Sequence, residues 1–321
     1  MNRQLGMILL AFCAVLPSVG LSQAYPSRPV RVVVPFPPGG AMDLVVRPVS
    51  QEMSKALGQQ IVVENKPGAG TVIGADAAAK SPPDGYTLLC IATSFTANHT
   101  LVQKLPYDSL KDFRPISLLV RTPHVIAGKP TLAAKDFGEL VRWAKANPGR
   151  LSYGSPGNGT GQHLAFESLK MSEGIDIVHV PYKGEAPAIT DVMGGQLDLV
   201  IGNLTTALPH IRAGKLRAFG VGSRERTQFA NDIATISEQG LPNFESMSWF
   251  ALVTQARVPD QVVSRLNREV VAALSLPQVR NGLIARGFEP APTTPEELGA
   301  IIRTSIEKSA AVIKAANIKL D

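Results

Sequence analysis

Two glycine-rich loops hold the residues of this sequence best suited to chemistry, and both suit an anion. The first, Pro35-Phe36-Pro37-Pro38-Gly39-Gly40, lies between a β-branched run at 30–34 and a helical stretch at 43–57. Its glycines let the backbone approach a ligand closely. The helix behind them points free N–H groups and its positive dipole end into the gap. The prolines stiffen the loop and lower the cost of ordering it. Phe36, Pro38, Gly39, Gly40, Met42 and Asp43 are the candidate ligand-binding residues here. Asp43 has a second reading as a first-turn residue that caps the loop, since an acid stabilises that helix end by ~0.3–1 kcal/mol.

The second loop, Gly154-Ser155-Pro156-Gly157-Asn158-Gly159-Thr160-Gly161, again joins a strand-like run to a helical one. It offers backbone N–H groups, including that of Gly159, the hydroxyls of Ser155 and Thr160, and the amide of Asn158. It is like a phosphate loop, but Thr160 stands where a lysine is needed, and glycines at 154, 157, 159 and 161 miss the dinucleotide spacing. A nucleotide is disfavoured. A small carboxylate needs only a few N–H and O–H donors. His163, one turn into the next helix, either shapes this pocket or is a structural histidine. Ser94, just past a strand-like run at 87–93, joins the candidates. So do Tyr182, which would wall a pocket beside Lys183, and Asp198, which would accept from a backbone N–H or a ligand amine.

Machinery for turnover is missing. There is no GxSxG elbow: Gly154-Ser155-Pro156-Gly157 is one residue short. No acid is evidently paired with His163. The histidines at 99, 124, 163, 179 and 210 include no i, i+4 pair of the kind a helical zinc site uses. No cofactor fingerprint and no paired loop carboxylates occur. Anion-friendly loops without a general base favour binding over catalysis, with no cofactor and no metal.

The elements that position these loops alternate. Strand-like runs at 30–34, 61–64, 87–93, 150–154, 177–181, 197–201, 216–222 and 248–254 are interleaved with helical stretches at 43–57, 71–80, 136–147, 160–172 and 186–193. The segment 114–128 reads as one or two strands broken at Pro123. Thr294-Pro295-Glu296-Glu297 is a capping box that opens a C-terminal helix to about residue 316. Such alternation indicates βαβ units and a largely parallel sheet. At 321 residues, 45% hydrophobic and 18% charged, the chain has ample material for a core and is long enough for two lobes. With 32 basic against 26 acidic residues and no basic cluster, no nucleic-acid partner is expected.

Arg3, the apolar run 5–19 and Ser22-Gln23-Ala24 make a secretory signal, with cleavage expected after Ala24 and a periplasmic mature chain. Cys13 falls in that segment, and Cys90, in an apolar run, reads as a buried structural thiol.

From Tyr25 onward the chain resembles the Bug family of periplasmic solute-binding proteins, related to the tripartite tricarboxylate transporter receptors. The resemblance rests on an ordered set of short segments: YPSRPVR (25–31), PFPPGG (35–40), VENKPGAG (63–70), PDGYTL (83–88), YGSPGNGT (153–160), VPYKG (180–184) and GGQLD (194–198). It implies an α/β architecture of the type II periplasmic-binding-protein fold, two α/β lobes closing on a ligand cleft. It also implies that the loops at 35–43 and 154–163 face each other and hold a carboxylate, partly through ordered waters. The family often has Thr or Ser where Met42 stands, which motivates a less polar acid, an aromatic one among them. The expected layout is a signal peptide at 1–24, a first lobe at 25–123 and 224–321, and a second at 124–223. The expected role is a monomeric receptor delivering a small carboxylate to membrane transporter subunits. The alternatives are partnership with a sensor ectodomain, or a secreted hydrolase using Ser155 and His163.

Overall fold

A computed structural model describes residues 25–319, so the signal segment and its cut after Ala24 lie outside the described residues. The valines of β1 (Val30–Val34) alternate: Val30, Val32 and Val34 enter one core and Val33 another. A strand buried on both faces belongs inside a sheet. Accordingly β1 is flanked in parallel by β2 (Ile61–Asn65) and β3 (Thr87–Ile91). One face is covered by α1 (Ala41–Leu57), whose Val45, Val46, Val49 and Met53 recur at helical spacing, and which stops at left-handed Gly58. The other face is covered by α2 (Val72–Ala79) and α3 (Thr93–Leu101).

The 16-residue β4 (Phe113–Gly128) then carries the chain into a second lobe. There follow α4 (Phe137–Ala146), β5 (Ser152–Ser155), α5 (Gly161–Glu173), β6 (Val178–Pro181), α6 (Glu185–Met193), β7 (Leu199–Asn203), α7 (Leu204–Arg212) and β8 (Arg217–Val221). The chain returns through β9 (Met247–Gln255) and ends with α8 (Asp260–Ser275), α9 (Pro277–Ile284), β10 (Glu289–Pro290) and α10 (Pro295–Ala315). The capping box at Thr294 and Glu297 forms as its spacing dictates. In the second lobe β5 pairs in parallel with β6 and β7, and helices again cover both faces.

Three sequence expectations need correction. Pro123 does not break β4. The strand pairs with β9 as far as Pro123↔Met247 and with β7 from His124↔Asn203 onward. The N–H that proline lacks falls where β4 changes partners, so neither ladder is interrupted. Secondly, the sheet is parallel only at its two flanks. Its centre, where β4 and β9 join the lobes, is antiparallel. Thirdly, the return crossing lies at Ser246–Met247 and not near Ser223. Ala230 and Ile236 pack into the two cores of the second lobe, and Ser246 exchanges backbone hydrogen bonds with Gly222 and His124. The two crossings are tied by His124, whose ring nitrogens meet the hydroxyls of Ser246 (2.6 Å) and Ser248 (2.8 Å).

Candidate functional site

The carboxyl ends of β3 and β7 converge on these crossings. Asn203 at the end of β7 pairs with His124, and Ile91 at the end of β3 pairs with Ala251, four residues along β9 from Met247. The loops after β1, β3, β5, β6 and β7 therefore gather where the lobes meet, the place where open α/β sheets bind ligands.

On the first lobe, the loop 35–40 is held from behind by a charged brace. Asp43, only 4% exposed, accepts from Gly39 N–H (2.9 Å), from Arg47 Nε and Nη2 (3.0 Å each) and from Asn65 Nδ2 (2.8 Å). Asn65 Nδ2 also donates to the Phe36 carbonyl, and its Oδ1 accepts from Arg47. Burial works against the Asp43 charge, but the bonds from Asn65, Gly39 and Arg47 outweigh it and hold the carboxyl below its ordinary range. Asp43 is thus the loop's anchor, with its oxygens occupied. Met42 does not line the loop: at 3% exposure it belongs to the first core beside Val45 and Val46. The selectivity read from Met42 loses its basis, because the inward stripe of α1 claims that position. Phe36 packs partly against the same core, while Pro38, Gly39 and Gly40 are exposed. Gly39 has φ +83°, and extended Gly40 starts α1 with no side-chain cap.

Ser94 sits in the first turn of α3, a helix absent from the sequence expectations, whose first residue, Thr93, reads there as the end of the strand-like run 87–93. Its Oγ is buried and has no hydrogen-bond partner among the described residues. Leaving a buried hydroxyl unpaired costs ~1–3 kcal/mol. The start of α3 at Ala92 also lacks a side-chain cap.

On the second lobe the loop 155–160 is held by neutral groups. Ser155 Oγ, fully buried, lies 2.7 Å from His179 Nε2 and not against His163. His163, 4% exposed, accepts from Gly159 N–H at Nδ1 (3.1 Å) and stacks on His179 with ring centroids 3.9 Å apart. Burial pushes the His163 pKa down to about 4 and that of His179 to about 3, so both rings are neutral at pH 7. Thr160 caps α5, accepting from His163 N–H, and donates to the Gly157 carbonyl. Asn158 is partly exposed on the same loop. Tyr182 packs against the second lobe's core and donates to Asp191 (2.6 Å).

Asp198 is not part of this junction. It accepts from Ser152 N–H and from Lys129 (2.6 Å) at the amino end of β7. Five residues at ~3.3 Å each separate it from Asn203, so it lies roughly 16 Å away at the opposite end of the sheet. A flanking residue reaches a cleft of this kind only if it follows its strand, and Asp198 precedes it.

The structure adds a polar cluster, buried at Gln162 and Asn203 and half-buried at Glu185 and Thr206. Glu185 Oε1 accepts from Gln162 Nε2 (2.8 Å) and from Asn203 N–H (3.1 Å), and Oε2 meets the Thr206 hydroxyl. Burial pushes this carboxyl's pKa up, against the bonds from Thr206, Asn203 and Gln162. In the sequence Glu185 is indistinguishable from an ordinary first-turn acid.

The second loop meets the first lobe at α3, and no hydrogen bond joins it to 35–40 among the described residues. A Cβ on Gly159 would lie 2.3 Å from Leu101 Cδ1, and one on Gly161 3.1 Å from Thr93 Oγ1. Beside this seat, Ala97, Leu164 and Ile313 form a small apolar cluster joining α3, α5 and α10. Among the described residues around the junction, α1, α3, α6 and α7 begin without a side-chain cap, and α5 has one. Their first-turn N–H groups are the donors a compact anion would engage.

Residues 45–318 match the family model described as the tripartite tricarboxylate transporter family receptor. The chain is 37% identical over 308 residues to a UPF0065 protein from the tcbD-tcbE intergenic region of Pseudomonas sp. strain P51, covering 96% of this chain and 92% of that protein. It is 35% identical over 301 residues to protein BugT of Bordetella pertussis, covering 93% and 92%. Among solved structures, R. palustris Rpa4515 with adipate superposes with a TM-score of 0.83 at 32% identity, covering 92% of this chain and 99% of that one. MatC (Rpa3494) from Rhodopseudomonas palustris with bound malate superposes with a TM-score of 0.78 at 31% identity, covering 90% and 100%.

Proposed function

The chain belongs to the tripartite tricarboxylate transporter receptor family, whose members are solute-binding proteins and not enzymes, and from that premise we propose that it captures a small carboxylate between its lobes and presents it to the membrane subunits of such a transporter. The observation that carries this reading is the ring of uncapped helix starts at the lobe junction, with the orphan Ser94 hydroxyl among them. The relatives that hold adipate and malate support the same class of ligand.

On this reading the ligand carboxylate takes N–H donors beside Gly40 and Asn158 and the hydroxyl of Ser94. Rotation about the crossings at Pro123–His124 and Ser246–Met247 seats the Gly159 loop on α3 and excludes water. The chain works as an exported monomer, cleaved after Ala24, in the periplasm.

Thermal-shift screening of residues 25–321 against amino acids, di- and tricarboxylates and aromatic acids tests the proposal. A ligand at 100 times its Kd adds roughly 2.7 kcal/mol, an easily visible shift. Folded, ligand-free protein that responds to no acid would sink it.

A further inference from the structure

Glu185 is a carboxyl placed where the preceding reading puts a carboxylate ligand. It starts α6, at the carboxyl end of β6, and its partners come from α5, β7 and α7. All three partners are neutral, and among the described residues no ion pair engages it. A carboxyl at a ligand junction without a cation is an unfavourable neighbour for a second negative charge.

Its two oxygens are not equivalent. Oε1 holds two N–H donors, which fill its two lone pairs. Among the described residues Oε2 meets only Thr206, whose single hydroxyl proton is also within reach of the Asn203 carbonyl at 2.8 Å. Oε2 therefore has room for one further donor, and Glu185 is partly exposed. Gln162 and Asn203, themselves buried, hold the carboxyl in this orientation.

We propose that Glu185 selects the far end of the ligand: the cleft takes a monocarboxylic acid whose opposite end is a hydrogen-bond donor, an ammonium or hydroxyl group, and disfavours a second carboxylate there. This rests on the carboxylate-receptor reading and narrows it. The carboxylate of such a ligand goes to the starts of α1 and α3, away from Glu185, and its donor goes to Oε2.

The test uses calorimetry at pH 7 on matched four-carbon acids: 4-aminobutanoate and 4-hydroxybutanoate against succinate, with the six-carbon pair 6-aminohexanoate and adipate beside them. The wild-type protein is expected to bind the donor-ended acids at least tenfold tighter than the diacids. Glu185→Gln, which keeps an acceptor for Asn203 N–H, is expected to raise diacid affinity at least tenfold relative to the amino acids. Should that variant not fold, Glu185→Asp must move the optimum length of the amino acid by one methylene. A wild-type preference for diacids, or a preference unchanged in the variants, overturns the assignment of Glu185 alone. Wild-type protein that binds none of these acids, nor any on the broader panel, overturns the carboxylate reading itself.

Discussion

The two loops that frame the junction do the same job with opposite chemistry. The first-lobe loop is tied down by an ionised carboxylate, Asp43, and the guanidinium of Arg47, with Asn65 between them. The second-lobe loop is tied down by two stacked neutral imidazoles, His163 and His179, and the Thr160 hydroxyl. Neither arrangement leaves uncompensated negative charge next to the helix starts. In the first, Arg47 cancels Asp43. In the second the bracing groups are themselves neutral. A loop meant to receive an anion can be braced either way, but the braces fail under different conditions.

The largest difference should appear when each brace is removed. Asp43→Ala leaves Gly39 N–H, Asn65 and Arg47 without their common acceptor. Arg47 is half-exposed and recovers water, so the loss should be about 2–4 kcal/mol, below that for a fully buried pair. His179→Ala removes the Ser155 bond and the stack on His163, for about 2–3 kcal/mol. Denaturant midpoints check both values. Equal affinity of Asp43→Ala and wild type for the same acid would show that the brace does not order the first loop for binding.

Next come the glycines. Gly39 and Gly159 both have positive φ, +83° and +72°. A Cβ on Gly39 meets nothing within 4 Å, whereas one on Gly159 would collide with Leu101. Gly39→Ala should cost only the backbone strain, about 1 kcal/mol, and little affinity. Gly159→Ala should pay the same strain and also lift the loop off α3, lowering affinity at least tenfold. The double variant Gly159→Ala with Leu101→Ala should recover much of that loss. Titration calorimetry on the four proteins separates strain from seating, and an unimproved double variant would break the claim that the seat matters.

Much of this was legible in the sequence. Alternating runs gave the strands, the Thr294–Glu297 spacing gave its cap, and the two glycine loops stood out because glycine and proline have few other uses at strand ends. What escaped was decided by three-dimensional placement. Met42 looks like a loop neighbour but falls on the buried stripe of α1. Asp198 looks like a strand flank but lies on the wrong side of β7. The Thr93 helix start is hidden in a run that reads as strand, and Glu185 acquires meaning only when Gln162, Asn203 and Thr206 come to it from three other elements.

Acid should separate the two loops again. The folded-state pKa values of His163 and His179 are depressed, so between their unfolded value near 6.5 and their folded values of about 4 and about 3 the unfolded chain binds more protons. Their contribution is full above pH 6.5 and drains away as pH falls through that window, on the order of 3 kcal/mol at most for His163. The Asp43 carboxyl is depressed below 3.8, so its brace is lost only below that pH. Amide protection factors, corrected for the intrinsic pH dependence of exchange, should therefore fall between pH 7 and pH 5 in 155–163 while those in 36–43 hold. Equal loss in both loops would deny the neutral-brace description of the second lobe.

The smallest effect tests why the helix starts are bare. Thr160 shows that this junction tolerates a capped helix, and Thr160→Ala should cost about 1 kcal/mol. Gly40 is the opposite case: its φ of −78° suits any residue, and a Cβ there would come no nearer than 3.8 Å to the Pro37 carbonyl oxygen. Nothing steric forbids an aspartate cap. Gly40→Asp should gain a few tenths of a kcal/mol by capping α1 and favouring its dipole. It would also put a carboxylate on the N–H groups reserved for the ligand. A higher Tm with weaker acid binding is the expected pair of outcomes. A higher Tm with unchanged binding would mean that α1 contributes no donors, and the anion would then belong to α3 and the Asn158 loop alone.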